Sequence, residues 1–129
     1  MSPSPDQSSY QITIYGGWNP AAGIDYNDVW TLTVPSFRWI KIDTVNDFEY
    51  SSGVGRAHHR CVIHNNSQMI VVGGSTRNGT DTQIDETMCR TQYPPLRLLD
   101  TSTYTWKKSF DPSGKYTVPA AISDVVGGG

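Results

Sequence analysis

The sequence predicts an all-β protein built from a repeated antiparallel sheet. Two segments share one pattern, in which a β-rich run ends in Gly-Gly and is followed by a second β-rich run and then by a lone Trp. The diglycines Gly16-Gly17 and Gly73-Gly74 lie 57 residues apart. No segment keeps the i, i+3, i+4, i+7 apolar spacing of an amphipathic helix. Because each repeat is too small to bury its own core, we expect the repeats to stack on one another.

The first repeat is expected to supply three strands of an incomplete sheet within residues 10–48. These are a second strand over 11–15, a third over 28–34 and a fourth over 38–42. Alternating runs such as Thr31-Leu32-Thr33-Val34 are typical of strands packed on one or both faces. The preceding residues 1–9 are polar and rich in Pro and Ser, which predicts a disordered tail.

The second repeat is expected to form a complete four-stranded sheet within residues 49–118. Its strands are predicted over 59–64, 68–72, 96–100 and 105–110, and Asn65-Asn66 supplies the tight turn of the first hairpin. The segment 119–129 is predicted to begin a further sheet with a strand over 120–126 and to end in a flexible Gly tail.

These features resemble the kelch-repeat family. The resemblance rests on the two diglycines, on Trp39 and Trp106 at 22 and 32 residues beyond them, and on the Gly55-Arg56-Ala57-His58-His59 run before a strand. It covers residues 10–127, and the spacing lies near the roughly 50-residue kelch period. More narrowly, the chain resembles the C-terminal part of fungal secreted or cell-surface kelch proteins, which share a propeller fold with the central domain of galactose oxidase. The resemblance implies about two four-stranded antiparallel kelch-type blades of a partial propeller.

Several residues have expected structural roles in such blades. Trp39 and Trp106 are expected to fill the wedge between neighbouring sheets. Arg56 and His58 are expected to form hydrogen bonds between blades. The diglycines allow a positive φ or a close backbone approach, which a Cβ would hinder.

Two blades do not close a propeller, which usually has four to eight. The expected partners are therefore other propeller blades, supplied either by the same longer chain or by other copies in a homo-oligomer. In the second case, the predicted strand 120–126 would complete the first sheet of a neighbouring copy. Three copies would then give 24 strands, enough for six blades.

The resemblance also implies a compartment. Cys61 and Cys89 match a pair found in similar fungal kelch proteins, which predicts a disulfide, whereas two buried thiols of a cytosolic protein are the alternative. The sequons beginning at Asn65 and Asn78 are candidate glycosylation sites, Asn78 being the better acceptor because Asn65 lies in a tight turn. We therefore expect an extracellular or cell-surface protein, whose targeting signal is absent from this segment.

The composition excludes several function classes. A net charge of −2 gives no basic surface for nucleic acid, and no apolar run approaches the length of a membrane span. His58, His59 and His64 are clustered, but alternation sends the first two to opposite faces of a strand. No catalytic, metal-binding or cofactor-binding motif is present. We therefore predict no catalytic residues, no bound metal and no cofactor.

We expect a non-catalytic module that binds a protein or a glycan, or that acts as a scaffold. The loops 18–27, 45–55 and 75–95 are the candidate binding segments, because connecting segments carry function on a rigid scaffold. Trp18 and Tyr26 are the candidate binding residues. The alternative is part of a galactose-oxidase-like copper oxidase whose site is completed by further blades, and an enzymatic activity stays open on that account.

Overall fold

Two sheets packed face to face make up most of the protein, the first antiparallel and the second antiparallel apart from one parallel edge pair. The computed structural model describes residues 1–47, 55–77, 84–85 and 95–127. Most of this part is strand, with one short helix, which confirms the all-β prediction and the kelch-like blade architecture.

The first sheet is a four-stranded meander in the order β1-β2-β3-β4. Its strands span Ser2–Pro3 (β1), Tyr10–Asn19 (β2), Ile24–Val34 (β3) and Arg38–Ile42 (β4). The β2–β3 hairpin is much longer than its neighbours and has a register shift between Tyr15 and Gly17. Beyond this irregularity the hairpin projects past the end of the sheet.

The second sheet has the order β5-β11-β10-β7-β6 within the described residues. Its strands span Val45–Asn46 (β5), Arg60–His64 (β6), Gln68–Val72 (β7), Leu96–Asp100 (β10) and Thr105–Lys107 (β11). The chain therefore crosses to the second sheet at Val45, a few residues before the boundary expected at 48. A two-stranded pair, Thr76–Arg77 (β8) and Ile84–Asp85 (β9), lies between β7 and β10 in the chain.

The core lies between the two sheets. The buried cluster combines side chains from the first sheet with side chains from the second, and these facing surfaces are called the inner faces here. The buried members are Tyr15, Val29, Ile40 and Ile42 from the first sheet, Met69, Val71, Leu99, Tyr104 and Trp106 from the second, and Ile122. A buried hydrogen bond also crosses the wedge, because the hydroxyls of Thr31 and Tyr104 lie 2.8 Å apart.

The third and fourth strands of the two sheets pair in the same register, but the two equivalent tryptophans differ in burial. Leu32 pairs with Trp39 in the first sheet, as Leu99 pairs with Trp106 in the second. Trp106 is 1% exposed, whereas Trp39 is 54% exposed. The expected burial of Trp39 is wrong because its side chain lies on the face of the first sheet that points away from the second. Trp106 faces the first sheet and is covered by it.

The N-terminal residues form a strand and a turn, in place of the expected disordered tail. Ser2 pairs with Gln11 and Pro3 with Tyr10, so the first sheet has its own first strand. The Asp6 carboxylate accepts hydrogen bonds from the Ser4 hydroxyl and from the Ser8 amide and hydroxyl, which lower its pKa to about 2. These local bonds hold the polar segment in a turn, although it has little apolar surface to bury.

The segment predicted as a final strand is the helix α1, Ala120–Val126. Pro119 precedes it, and Ile122 is fully buried with Val118 and Val126 packed against the same core. Ile122 and Val126 are spaced four apart and so lie on one face of the helix, while Val118 packs from the segment just before it. The expected completion of a neighbouring copy's first sheet by a strand at 120–126 is therefore wrong, because this segment is helical and packs within its own chain.

Candidate binding surface

The segment 55–57 joins the two sheets at the end where both diglycines lie. The Arg56 carbonyl accepts a hydrogen bond from the Gly17 amide at 2.9 Å, and the Arg56 amide donates to the Tyr26 carbonyl at 3.0 Å. The next residue, Ala57, exchanges two backbone hydrogen bonds with Ser75 of the second repeat. The projecting β2–β3 hairpin is thus fixed at its base to a segment that is itself fixed to the second sheet.

The Arg56 side chain adds a second connection. Its Nη1 donates to the Gly73 carbonyl at 2.9 Å, and the residue is 4% exposed. Burial lowers the pKa of the guanidinium from its usual high value, and the nearby Tyr15 partly opposes this change. Arg56 therefore contacts one sheet through its backbone and the other through its side chain.

The diglycines make this close approach possible. A Cβ on Gly16 would lie 2.4 Å from the Arg56 carbonyl oxygen, and one on Gly74 would lie 2.6 Å from the Ala57 carbonyl oxygen. Both glycines also have positive φ, at 66° and 94°. The pattern Gly-Gly thus marks the two points where the joining segment touches the sheet ends.

The side chains of the two adjacent histidines, His58 and His59, contact different residues. His58 is exposed, with its ring centroid 6.0 Å from that of Trp18 and its Nδ1 3.1 Å from the Ser75 hydroxyl. His59 packs its ring at 5.2 Å from the Tyr15 ring. Burial lowers the pKa of the His59 imidazole, and the positive charge of Arg56 lowers it further. The pair therefore does not converge on one point, although strand alternation is not the reason, because β6 begins at Arg60 and His58 has a positive φ of 59°.

Arg97 is a connecting residue that the sequence reasoning missed. Its guanidinium lies 3.8 Å from the Trp106 ring centre, and its Nη1 donates to the Tyr15 hydroxyl at 2.6 Å. The Tyr15 and Trp106 rings also meet edge-on at 5.0 Å. An Arg alternating with leucines in the third strand, Leu96-Arg97-Leu98, was the available signal, because such a position on a packed face needs a partner.

The hairpin that this base supports carries Trp18 and Tyr26, which are both exposed. The expected loop at 18–27 is instead strand up to Asn19 and again from Ile24. Trp18 pairs with Asp25 and Tyr26 pairs with Gly17, so the two aromatic side chains lie on opposite faces of the hairpin. The structure therefore places both at the same end of the protein but does not bring them together.

The remaining hairpin residues define its tip. Ile24 is exposed there, and the Asn19 amide donates to the Tyr26 hydroxyl at 3.3 Å. The exposed Trp18, Ile24 and Tyr26, together with His58, are called the hairpin surface below. Of the other expected binding segments, Val45–Asn46 forms β5, and Thr76–Arg77 pairs with Ile84–Asp85.

The other residues predicted from the sequence lie away from the hairpin surface or outside the described residues. Cys61 is exposed on β6, beside Val71, while Cys89 lies outside the described residues, so the disulfide stays a prediction. Asn78 also lies outside them. The Asn65 side chain donates to the Pro112 carbonyl at 3.1 Å, and Ser67 of the same sequon is buried. A glycan on Asn65 would have to replace that contact.

Within the described ranges, no three His, Cys, Asp or Glu side chains are grouped as metal ligands would be. The same part of the chain has no helix with the length and apolar character required to cross a membrane.

Comparison with known proteins bears on this architecture. No family model matches the chain. The chain is 33% identical to a kelch repeat-containing protein of Arthroderma benhamiae, over an alignment of 148 residues that covers 95% of this chain. The two sheets are kelch-type propeller blades. The similarity supports the kelch-repeat family, and the chain described here spans 20% of that relative's length.

Proposed function

We propose that this kelch segment is a protein-interaction module and that it binds its partner through the hairpin surface. The proposal depends on one observation, that an exposed hairpin with aromatic side chains is held rigidly at its base. There the Arg56 backbone forms hydrogen bonds with both Gly17 and Tyr26. The similarity to a kelch repeat-containing protein supports a protein-interaction role for the module.

The hairpin surface has the composition of an interface centre. Trp and Tyr are enriched among the residues that contribute most to binding, because each buries a large area at a low cost in side-chain entropy. Trp18 is exposed on one face of this projecting element, and Ile24 and Tyr26 are exposed on the other. Its backbone is already ordered by the contacts at Arg56, so little further ordering is needed on binding.

A protein partner fits this arrangement better than a glycan. A single sugar ring would stack on one aromatic face or be held between two that converge. Trp18 and Tyr26 lie on opposite faces of the hairpin, so one sugar ring cannot contact both. A partner with pockets on both sides of the hairpin can bury both rings.

We further propose that the module acts outside the cell or at its surface. The support is the sequon at Asn78 and the pair Cys61 and Cys89, since disulfides persist in oxidising compartments. Both features can be tested on protein secreted from a eukaryotic host. One sample is unfolded without reduction and treated with a thiol reagent, and a second sample is digested with an endoglycosidase. Two reactive thiols and an unchanged mass would contradict the proposal.

Binding can be tested with a displayed library of random peptides selected on the wild-type chain. The enriched peptides are then titrated against Trp18→Ala, Tyr26→Ala and Val125→Ala, the last being an exposed apolar residue on α1 that serves as the matched control. We expect each hairpin variant to weaken binding by about 30-fold, as for a central interface residue. The control should leave binding unchanged.

Two outcomes would contradict the proposed surface. Peptides that bind all three variants equally well would place the binding site elsewhere. A panel of oligosaccharides that binds the wild type and is lost only with Trp18→Ala would instead identify a glycan-binding module.

A further inference from the structure

A cavity of about 320 Å³ lies at the end of the first sheet opposite to the hairpin surface. Gln11 of β2 lines this cavity, whereas Trp18 of the hairpin surface lies towards the other end of the same strand. Three segments border it, namely the N-terminal turn, the turn between β3 and β4, and the helix α1 with the residues just before it. Its volume falls at the lower end of the range of small-molecule sites, which are mostly apolar and carry a few polar groups that orient the ligand.

The wall that α1 contributes to the cavity is apolar. Val118, Ile122 and Val126 line it, and Ile122 is fully buried, which holds the helix against the core. The turn between β3 and β4 adds Val34 and Pro35 to the lining. A hydrocarbon group that entered the cavity would leave water and pack on these residues, which favours binding.

The N-terminal turn brings one charged group to the cavity, the carboxylate of Asp6. It is the only charged side chain among the described lining residues, and neither ion pair of the described residues involves it. The Ser4 hydroxyl donates to its Oδ1 at 2.6 Å, and the Ser8 amide and hydroxyl donate to the same atom at 3.0 and 2.8 Å. Because all three bonds end on one oxygen, they orient the carboxylate and leave Oδ2 as an acceptor for a ligand.

Other polar side chains that line the cavity are bonded to protein groups. Gln11 is 1% exposed; its amide nitrogen donates to the Ser9 hydroxyl at 3.1 Å, and its amide oxygen accepts from the Tyr116 hydroxyl at 2.9 Å. The hydroxyls of Thr33 and Ser36 form a hydrogen bond with each other. These groups are therefore held in place before any ligand enters, and the charge that the cavity selects is set by Asp6.

This combination favours one class of ligand. An anion would meet a carboxylate and no cationic side chain among the described lining residues. A bare calcium ion takes six to eight oxygen ligands and would gain nothing from the apolar wall. A sugar ring would have no aromatic face to stack on, since the same lining includes none. A ligand with a cationic head and an aliphatic body satisfies both sides of the cavity.

We propose that this cavity binds a small aliphatic ammonium ion. The charged group contacts Oδ2 of Asp6, and the hydrocarbon chain lies against Val118 and Val126. A free alkylamine and the lysine side chain of a peptide share this chemistry, and experiment can separate the two sources. The site is separate from the hairpin surface, so it does not depend on the function proposed above.

Chemical-shift titration of the ¹⁵N-labelled wild-type chain tests the site without any substitution. The probes are hexylamine, neutral hexanol and anionic hexanoate, which carry the same kind of hydrocarbon chain. At neutral pH the Asp6 carboxylate is ionised, since its pKa is about 2. We expect hexylamine to shift the amide signals of Ser8, Ser9 and Gly127 and to bind about 5-fold more tightly than hexanol, as for one exposed ion pair. Hexanoate should bind more weakly than hexanol, because Asp6 repels it.

Two further probes identify the source of the ammonium group. Nα-acetyl-lysinamide represents a lysine side chain in a peptide, and acetylation of its Nε removes the charge. Tighter binding of the lysine derivative than of hexylamine would indicate a peptide ligand, and the reverse order would indicate a free amine. Either order supports the cation site when the Nε-acetylated form binds more weakly than the charged form.

Two variants test the two sides of the cavity separately. Asp6→Asn keeps an oxygen acceptor for the serine hydroxyls but removes the charge, so it should weaken hexylamine binding about 5-fold and leave hexanol binding unchanged. Val126→Thr keeps the side-chain shape but makes the wall more polar, so it should weaken the binding of both probes. Asp43→Asn is the matched control, because Asp43 is an exposed aspartate just after β4 that does not line the cavity. Circular dichroism would check that each variant is folded.

Three results would overturn the proposal. Hexylamine could cause no shifts up to its solubility limit, or shifts that map to another surface. Hexanol could bind the wild type as tightly as hexylamine does, which would show that the cavity does not recognise charge. Folded Asp6→Asn could bind hexylamine as tightly as the Asp43→Asn control, which would remove Asp6 from the site.

Discussion

The Arg97 guanidinium stacks on the Trp106 ring, 3.8 Å from its centre. The same side chain donates to the Tyr15 hydroxyl across the wedge, so a charged group of the second sheet is held against an aromatic of the first. A cation over an aromatic face is stabilised by the ring quadrupole, and more strongly where water is excluded. This contact lies next to the Arg56 segment, so the same end of the wedge is joined by side chains as well as by the backbone.

Replacing Arg97 tests this contact. Arg97→Met keeps much of the apolar length but removes both the stacked cation and the donor to Tyr15. We expect it to lower the free energy of unfolding by about 1.5–3 kcal/mol, the range for hydrogen bonds to charged groups. Lys41→Met is the control, because Lys41 is an exposed cation 3.8 Å from Asp28 and should change stability by less than about 1 kcal/mol. Equal losses in urea unfolding would contradict the assigned role.

The two register-equivalent tryptophans should differ strongly in their contribution to stability. Trp106→Ala removes a fully buried ring and should cost about 3–5 kcal/mol. Trp39→Ala alters an exposed ring and should stay within about 0.5 kcal/mol when measured at a concentration where the chain is a monomer. Denaturant unfolding of both variants under one set of conditions provides the comparison. Similar losses would contradict the burial of one ring and the exposure of the other.

The hydrogen bond between Thr31 and Tyr104 should be measurable as a coupling. Tyr104→Phe leaves the Thr31 hydroxyl without this partner in the core and should cost about 1 kcal/mol. Thr31→Val should cost a similar amount. The double variant should lose less than the sum, because both halves of the buried pair are removed together. Additive losses in a double-mutant cycle would show that the hydroxyls do not interact.

His59 should make the fold sensitive to mild acid. Its pKa in the folded chain lies below the ordinary 6.5, because burial and the positive Arg56 disfavour the imidazolium. The unfolded chain therefore binds the proton more readily. The stability that neutral His59 supports is complete above pH 6.5 and declines as the pH falls through that value towards the folded pKa.

The variant His59→Gln isolates this effect. It should flatten the dependence of unfolding free energy on pH below 6.5, relative to the wild type. Titration of Asp6, whose folded pKa is about 2, falls in a separate and more acidic range. An unchanged slope in the variant would mean that another group causes the loss of stability.

The bridge between Cys61 and Cys89 stays a prediction with a clear test. It would close a loop of 29 residues, for which chain entropy suggests about 3–4 kcal/mol of stabilisation. Reduction should lower the melting temperature and make residues 75–95 the first site of proteolysis. A Cys61→Ser and Cys89→Ser double variant should match the reduced protein. Two reactive thiols in unfolded, non-reduced material would exclude the bridge.

The sequence by itself determined the repeat and much of its strand content. Gly73-Gly74 predicted the end of β7, whereas β2 continues through Gly16-Gly17 to Asn19 with a register shift. Asn65-Asn66 predicted the hairpin turn, where both residues have positive φ. These features depend on local backbone chemistry, since a positive φ is inexpensive for glycine and tolerable for asparagine. Local rules therefore sufficed for these positions.

Only the tertiary structure decided which equivalent residues are buried and what the terminal segments form. Trp39 and Trp106 have the same register, but a ring is buried only where another sheet covers its face, and this is not a local property. The segment 120–126 became a helix because Ile122 could enter the core between the sheets. The N-terminal strand likewise formed because the edge of β2 offered unpaired backbone groups to Ser2 and Pro3. In each case the physical reason came from a partner outside the segment itself, whether a covering sheet, the core or a neighbouring strand edge.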